Sequence, residues 1–97
     1  MRFSEINALL MQPEDDVVTL TEAVKAGDAV CWRKADEICS VAAAEDVPQY
    51  HKVAVAAKKK DEIIRKYGER IGNATADIAA GTWVHTHNLS DVPEGQK

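Results

Sequence analysis

Short apolar segments separated by turns occupy the sequence between Ala29 and Gly72, and they constrain the fold more than any other feature. Each segment is rich in β-branched, aromatic or alanine residues, and short polar, proline- or glycine-containing corners separate them. Short strands at this spacing are typical of antiparallel hairpins rather than of alternating strands and helices. The segments are residues 29–33, 38–42, 50–55, 63–67 and 70–72.

One spacing recurs within the chain, namely apolar-x-x-Gly-x-x-apolar. It occurs as Val24-x-x-Gly27-x-x-Val30 and again as Ile78-x-x-Gly81-x-x-Val84. A third copy, Lys58-x-x-Asp61-x-x-Ile64, carries aspartate in the glycine position. Glycine adopts positive φ without a steric penalty, and aspartate tolerates it better than most residues. The pattern therefore predicts that one left-handed turn is used repeatedly to lead the chain into a strand.

The N-terminal quarter differs and predicts a strand over residues 3–11 followed by a short helix. The acidic pair Asp15–Asp16 or the sequence Thr19–Glu22 can cap this helix, and Gly27 ends it. We therefore expect a mostly β fold with one or two short helices. The folded domain is predicted to span residues 1–90, followed by a flexible tail over 91–97. The apolar stripe of the predicted helix comprises Val17, Leu20 and Val24.

Composition excludes several functional classes. A formal net charge of −4 argues against nucleic acid as a partner, and no apolar run approaches the roughly 20 residues that span a bilayer. The N-terminus lacks the features of a signal peptide, so we expect a cytoplasmic protein with Cys31 and Cys39 as free thiols. A chain of 97 residues buries only a modest core, so association with a partner or with a second copy is expected.

Two of the three histidines, His85 and His87, lie one residue apart at the end of the segment Trp83–Asn88. If this segment is a strand, alternate side chains share a face, and both imidazoles project side by side. Such a pair could bind one divalent cation or transfer protons near neutral pH. The alternative is that both are partly exposed strand residues whose hydrogen bonds only order the C-terminus.

Three motifs occur in order along most of the chain. They are Val47-Pro48-x-x-His51-Lys52-Val53-Ala54, then Lys66-Tyr67-Gly68-x-x-Ile71-Gly72-x-Ala74, then Ala76-Asp77-Ile78-Ala79-Ala80-Gly81-x-x-Val84-His85-x-His87-Asn88. Together they resemble the SAF-type domain of the altronate and galactarate dehydratase family over residues 3–90. The resemblance implies a β-clip fold of bent hairpins. This chain departs from the family pattern at Tyr50, because the family usually has glycine directly before His-Lys.

The resemblance also implies a function. It implies the small subunit of a hydro-lyase that acts on a sugar acid, with a site completed by a larger catalytic subunit and with Fe²⁺ or Mn²⁺ as the divalent metal. His85 and His87 are the candidate metal ligands and, with His51, the candidate catalytic residues. Lys52 and Asn88 are candidate substrate-binding residues, although a solvated lysine and a turn-forming asparagine are the simpler interpretations.

Two alternatives remain open. The same motifs occur in the small subunit of sulfolactate sulfo-lyase, which would change the substrate to a small sulfonated hydroxy acid. The fold could also serve as a non-catalytic binding module, an interpretation that Tyr50 favours.

Overall fold

A computed structural model describes residues 6–90 of the chain. Within this range the backbone forms nine strands and no helix, so no helix in the described part is long and apolar enough to cross a membrane. The predicted tail over residues 91–97 lies outside the described residues, as do residues 3–5 of the predicted first strand. The strands are β1 (Ala8–Leu9), β2 (Val17–Leu20), β3 (Ala29–Lys34), β4 (Glu37–Ala42), β5 (Lys52–Ala54), β6 (Ile63–Lys66), β7 (Glu69–Ala74), β8 (Trp83–Val84) and β9 (Leu89–Ser90).

The strands form three small antiparallel sheets. The central sheet has the order β1-β2-β5-β8, the β3–β4 hairpin forms a second sheet, and β6-β7-β9 form the third. Every named pair is antiparallel, and tight turns join the hairpin pairs β3–β4 and β6–β7. The prediction of a mostly β, hairpin-built fold is confirmed.

The predicted helix over the N-terminal quarter is wrong, because β2 occupies its centre. Val17, Val18 and Leu20 are all fully buried, so this strand packs apolar side chains on both of its faces. A strand buried on both sides lacks the alternation that normally distinguishes strands, and its apolar positions coincide by chance with helical spacing. The run of β-branched residues favours the extended conformation that is observed.

The acidic pair that was expected to cap this helix instead anchors the β6–β7 hairpin. The carboxylate of Asp15 is buried and accepts hydrogen bonds from three backbone N–H groups, including those of Tyr67 and Gly68 at 2.9 and 2.8 Å. Both turn residues have positive φ. The carboxylate of Asp16 forms an ion pair with the ammonium of Lys58 at 3.0 Å.

The chain contains one supersecondary unit twice. In the first repeat, residues 24–53, Val24 and Val47 pair in an isolated bridge that closes the base of the β3–β4 hairpin. In the second repeat, residues 58–84, Lys58 and Ile78 form the corresponding bridge below the β6–β7 hairpin. After each closing bridge a turn leads into a strand of the central sheet, β5 in the first repeat and β8 in the second.

Four turns of the same type flank these hairpins, one more than the sequence pattern revealed. Their third residues are Gly27, Tyr50, Asp61 and Gly81, and all four have positive φ, at 90°, 69°, 76° and 90°. The three predicted turns are confirmed. The sequence pattern does not predict the fourth turn, because tyrosine is unusual in a left-handed conformation. The departure from the family pattern at Tyr50 is therefore a tyrosine in a glycine position.

Hydrogen bonds repeat with the backbone. The N–H of Ala26 donates to the Asp46 carboxylate, and the N–H of Lys60 donates to the Asp77 carboxylate, both at 2.9 Å. In each repeat an aspartate just before the closing bridge residue thus fixes the opening turn. A second repeated pair joins Lys25 N–H to Asp28 and Lys59 N–H to Glu62.

Two apolar clusters lie on opposite sides of the central sheet, because alternate residues of β2 and β5 enter different clusters. The first cluster packs β3 and its buried Trp32 against the sheet. The second cluster packs the β6–β7 hairpin against the other side. The first contains Ala8, Val18, Leu20, Val24, Val30, Trp32, Ala43, Val47 and Val53. The second contains Val17, Ala54, Ile64, Ala74, Ile78 and Val84.

Both cysteines are free, as predicted. The β3–β4 register pairs Cys31 with Ser40 and Cys39 with Trp32, so the two thiols do not face each other across the hairpin.

Candidate functional site

Three histidines gather around one indole ring. The ring centroid of Trp83 lies 5.3 Å from that of His51, 5.6 Å from that of His85 and 5.8 Å from that of His87. His51 and His85 also contact each other, with centroids 5.1 Å apart. We call these four residues the aromatic cluster. All the histidines of the chain belong to it.

The two repeats bring this cluster together. His51 follows the turn at Tyr50, and Trp83 follows the equivalent turn at Gly81. The antiparallel register of β5 and β8 pairs Val53 with Trp83, which places the two turn exits side by side. The cluster therefore forms where equivalent segments of the two repeats meet.

The indole N–H of Trp83 donates a hydrogen bond to Nδ1 of His51 at 3.3 Å. The two rings are nearly perpendicular, at 89°, so the edge of the indole approaches the imidazole. The backbone N–H of Trp83 in turn donates to Oε2 of Glu45 at 3.3 Å. Sequence reasoning missed Glu45, because nothing in its local pattern distinguishes it from other exposed acidic residues.

The prediction that residues 83–88 form one strand is wrong beyond Val84. The chain turns at His85–Asn88, where the N–H of Asn88 donates to the carbonyl of His85 at 3.0 Å. His85 and His87 therefore do not alternate along a strand. His85 stacks on Trp83 with an interplanar angle of 19°, whereas His87 is exposed and meets the indole at 69°. The close imidazole pair is His51 with His85.

Asn88 forms this turn with both ends of its side chain. Its Oδ1 accepts from the N–H of His85 at 2.9 Å, and its Nδ2 donates to the carbonyl of Trp83 at 2.8 Å. The residue is buried, with 7% of its surface exposed. This geometry matches a turn-forming asparagine that holds His85 against Trp83.

Lys52 lies on the other face of the central sheet. It pairs across the strands with Thr19 and Val84, and Val84 belongs to the second apolar cluster. Burial, and to a smaller extent the neighbouring charge of Lys66, lower the pKa of the Lys52 ammonium. No carboxylate of residues 6–90 forms an ion pair with Lys52. The structure thus separates Lys52 from the histidines with which sequence reasoning had grouped it.

A shallow cavity of about 410 Å³ borders the cluster, and Trp83 forms one of its walls. Ala23, Val24, Val47 and Pro48 line the rest of its apolar surface.

The described residues do not supply a complete metal site. Residues 6–90 contain no group of three or more histidine, cysteine, aspartate or glutamate side chains placed to hold one ion. The ring nitrogens of His85 and His87 have no hydrogen-bond partner in this part of the chain, so both imidazoles are available as ligands. They fit part of a site that other groups would have to complete.

Sequence comparison identifies the family. The altronate/galactarate dehydratase SAF domain matches residues 6–92 of the chain. An altronate dehydratase of Bacillus subtilis (strain 168) is 39% identical over 57 residues, covering 55% of this chain and 12% of the enzyme. That of Escherichia coli (strain K12) is 46% identical over 54 residues, covering 52% of this chain and 11% of the enzyme.

A third relative is itself a subunit. The (2R)-sulfolactate sulfo-lyase subunit alpha of Paracoccus pantotrophus is 46% identical over 43 residues, which cover 44% of this chain and 64% of that subunit. The chain thus spans about a tenth of the dehydratases and less than two thirds of the sulfo-lyase subunit. Both the motifs and the all-strand fold agree with the match, and the chain belongs to the altronate/galactarate dehydratase SAF domain family.

Proposed function

We propose that this chain is the SAF-domain component of a hydro-lyase that dehydrates a sugar acid of the altronate or galactarate type. A larger catalytic chain completes the active site, and the aromatic cluster faces it. The observation that carries this proposal is the gathering of every histidine around Trp83, at the junction of the two repeats, in a domain of this family. The free thiols of Cys31 and Cys39 support a cytoplasmic location.

Dehydration of a hydroxy acid removes a carbon-bound proton beside the carboxylate and expels a hydroxyl group. The first event needs a group that accepts a proton, and the second needs a group that donates one. Imidazoles can do both near neutral pH. His85 is partly buried against Trp83 and next to His51, so it is held in one orientation, whereas His87 is exposed. We assign proton transfer to the imidazoles of His85 and His87, whose ring nitrogens have no hydrogen-bond partner in residues 6–90, and a positioning role to Asn88, whose amide holds the His85 turn.

We further propose that one of these two imidazoles, His85 or His87, contributes to a divalent metal site while the other transfers protons, with Fe²⁺ or Mn²⁺ as the expected ion. When bound, such an ion polarises the substrate carboxylate and stabilises the leaving oxygen. The larger chain or the substrate must supply the remaining ligands, because the described residues do not. Lys52 faces the other side of the sheet, so the proposal depends on the cluster rather than on Lys52.

A complementation assay tests the proposal. The B. subtilis altronate dehydratase, with its matching segment deleted, is supplied in trans with this chain, and altronate dehydration is followed by formation of the keto acid. We expect restored turnover, and losses of about 100-fold or more in kcat for His85→Ala and His87→Ala, since a positioned acid–base group contributes about that much.

Thr86→Ala is the matched control, because Thr86 is exposed and lies between the two histidines. It should leave turnover unchanged. The catalytic assignment fails if the two chains associate and dehydrate altronate while both histidine variants retain full activity.

The sulfo-lyase relative supports a second candidate, the cleavage of a sulfonated hydroxy acid. The same variants assayed with (2R)-sulfolactate, together with a large subunit of that enzyme class, distinguish the two. Turnover of sulfolactate without turnover of altronate would select the second candidate.

A further inference from the structure

We propose that Trp83 locks His51 in the tautomer that carries its proton on Nε2. In this state His51 is a hydrogen-bond donor and lacks a free lone pair. Trp83 is therefore a positioning residue, and His51 binds an oxygen of the substrate rather than acting as a base or a metal ligand. The substrate role, though not the tautomer, rests on the proposed function.

The tautomer follows from the donor inventory of the two rings. An indole N–H can only donate, and a neutral imidazole has one donor nitrogen and one acceptor nitrogen. Because the indole N–H of Trp83 points at Nδ1 of His51 from 3.3 Å, Nδ1 must be the acceptor. The proton of the neutral ring therefore lies on Nε2.

The backbone on both sides fixes this geometry. The carbonyl of His51 accepts from the N–H of Leu20 at 2.9 Å, which anchors the backbone of His51 to the central sheet. The N–H of Trp83 bonds to Glu45, and its carbonyl bonds to the buried amide of Asn88. His85 covers one face of the indole. These contacts hold the backbones of His51 and Trp83, and one face of the indole, in the positions from which the two rings bond.

The chemical consequence concerns the division of roles within the cluster. The one lone pair of neutral His51 is occupied by Trp83, so neither a metal ion nor a substrate proton can use it while this bond is intact. The Nε2 side of this half-buried ring instead offers an N–H, which suits a carboxylate or hydroxyl oxygen of a sugar acid. Roles that need a free imidazole lone pair fall to His85 and His87.

Nuclear magnetic resonance of the full chain tests the tautomer directly. With three histidines and two tryptophans in the sequence, the side-chain signals can be assigned by single substitutions. Long-range ¹H–¹⁵N correlation spectra recorded under conditions where the ring is neutral should show Nδ1 of His51 as pyridine-like and Nε2 as protonated. Detection of the proton on Nδ1, or of two mixed tautomers, would overturn the proposal.

A reciprocal measurement follows the indole. His51→Phe should speed the exchange of the Trp83 indole N–H with water by up to about tenfold, the equivalent of one net hydrogen bond. His87→Ala is the matched control, since His87 touches the same ring without bonding to its N–H, and it should leave the exchange rate unchanged. Equal effects of the two variants would show that the Trp83 ring packs against both histidines without a hydrogen bond to His51.

Trp83→Phe completes the test, because it keeps an aromatic ring but removes the donor. In a variant whose backbone amide spectrum remains that of the folded chain, His51 should become a mixture of tautomers. These spectra need only the isolated chain. If His51 has a single tautomer but dehydration is not restored, the proposed function alone is refuted. If dehydration is restored but His51 has mixed tautomers, only this inference is refuted.

Discussion

The two repeats share a backbone but differ in the chemistry that they carry. Each has a closing bridge, a hairpin and a left-handed turn into the central sheet. At the exit of its last turn, the first repeat has Tyr50-His51-Lys52. The second repeat has Gly81-Thr82-Trp83 at the equivalent positions. The aromatic cluster forms because β5 and β8 pair and join the two ends. The repeated backbone thus provides the scaffold, and the different residues at its turn exits form the cluster.

The hairpins of the repeats differ as well. The β6–β7 turn is pinned by the buried carboxylate of Asp15, which comes from outside the repeat. The β3–β4 turn at Ala35–Asp36 has no such carboxylate among the described residues. The N-terminal segment therefore holds the turn of the second hairpin through Asp15, whereas in the first repeat it bonds to strand β3 through Asn7 and not to the turn.

The largest contrast is expected at the two turn glycines that share φ +90°. In Gly81→Ala the new Cβ would overlap the carbonyl oxygen of Ala42, whereas in Gly27→Ala it would meet nothing within 4 Å. Gly27→Ala should cost about 1–2 kcal/mol of unfolding free energy from the backbone strain alone. Gly81→Ala should cost more than about 3 kcal/mol, because overpacking adds to that strain.

Urea unfolding of the two variants measures this contrast. Similar losses at both glycines would show that the two turns are equally tolerant and that the close approach at Ala42 relaxes.

The next contrast concerns the hairpin anchors. Asp15→Ala should lower the unfolding free energy by about 2–3 kcal/mol, because it leaves three part-buried backbone donors without their carboxylate partner. Amide hydrogen exchange at Tyr67 and Gly68 should accelerate selectively. Asp36→Ala, in the exposed turn of the other hairpin, is the control and should be nearly neutral. Uniform acceleration over both hairpins would contradict a local anchor.

A smaller effect is expected at the non-glycine residues of the repeated turns. Tyr50→Gly should stabilise the chain by less than about 1 kcal/mol, because the relief of left-handed strain is partly offset by the greater chain entropy of glycine in the unfolded state. Asp61→Gly should gain less, since aspartate tolerates this conformation. The side chain of Tyr50 is 73% exposed, so little packing is lost. A destabilised Tyr50→Gly variant in urea unfolding would reveal packing that the ring provides.

The smallest effect depends on pH and involves Lys52. Its pKa lies below the usual 10.5 in the folded chain, so the folded state binds this proton less tightly than the unfolded state does. The charged form therefore costs stability at neutral pH, and the cost disappears as pH rises from the lowered pKa through 10.5.

Lys52→Met should accordingly raise the urea midpoint at pH 7, and the gain should shrink towards pH 10. Lys60→Met, at an exposed lysine of the second repeat, should show no such trend. A gain that grows with pH would reverse the assigned direction of the pKa shift.

Much of the fold was predictable because short strands and tight turns depend on neighbouring residues. The hairpins over residues 29–42 and 63–74 and the positive φ at Gly27, Asp61 and Gly81 follow from local patterns. The N-terminal helix was mispredicted since β2 is buried on both faces, which removes its alternation. The turn at Tyr50 was overlooked because its residue type conflicts with its conformation.

The candidate site was predictable only in part. The identity of the histidines and of Trp83 was evident, but their grouping was not. His85 and His87 were expected to pair through strand alternation, yet the strand ends at Val84 and the close pair is His51 with His85. Lys52, adjacent to His51 in sequence, faces the opposite side of the sheet.

The amino-acid sequence by itself determined the family, the antiparallel hairpins and most of the left-handed turns, because these depend on residue types within a few positions of one another. The tertiary structure decided which imidazole meets which partner. Trp83 and His51 are 32 residues apart, and their hydrogen bond exists only because the β5–β8 register joins the ends of two repeats. Such a register is set by the packing of both faces of the central sheet, and no local pattern encodes it.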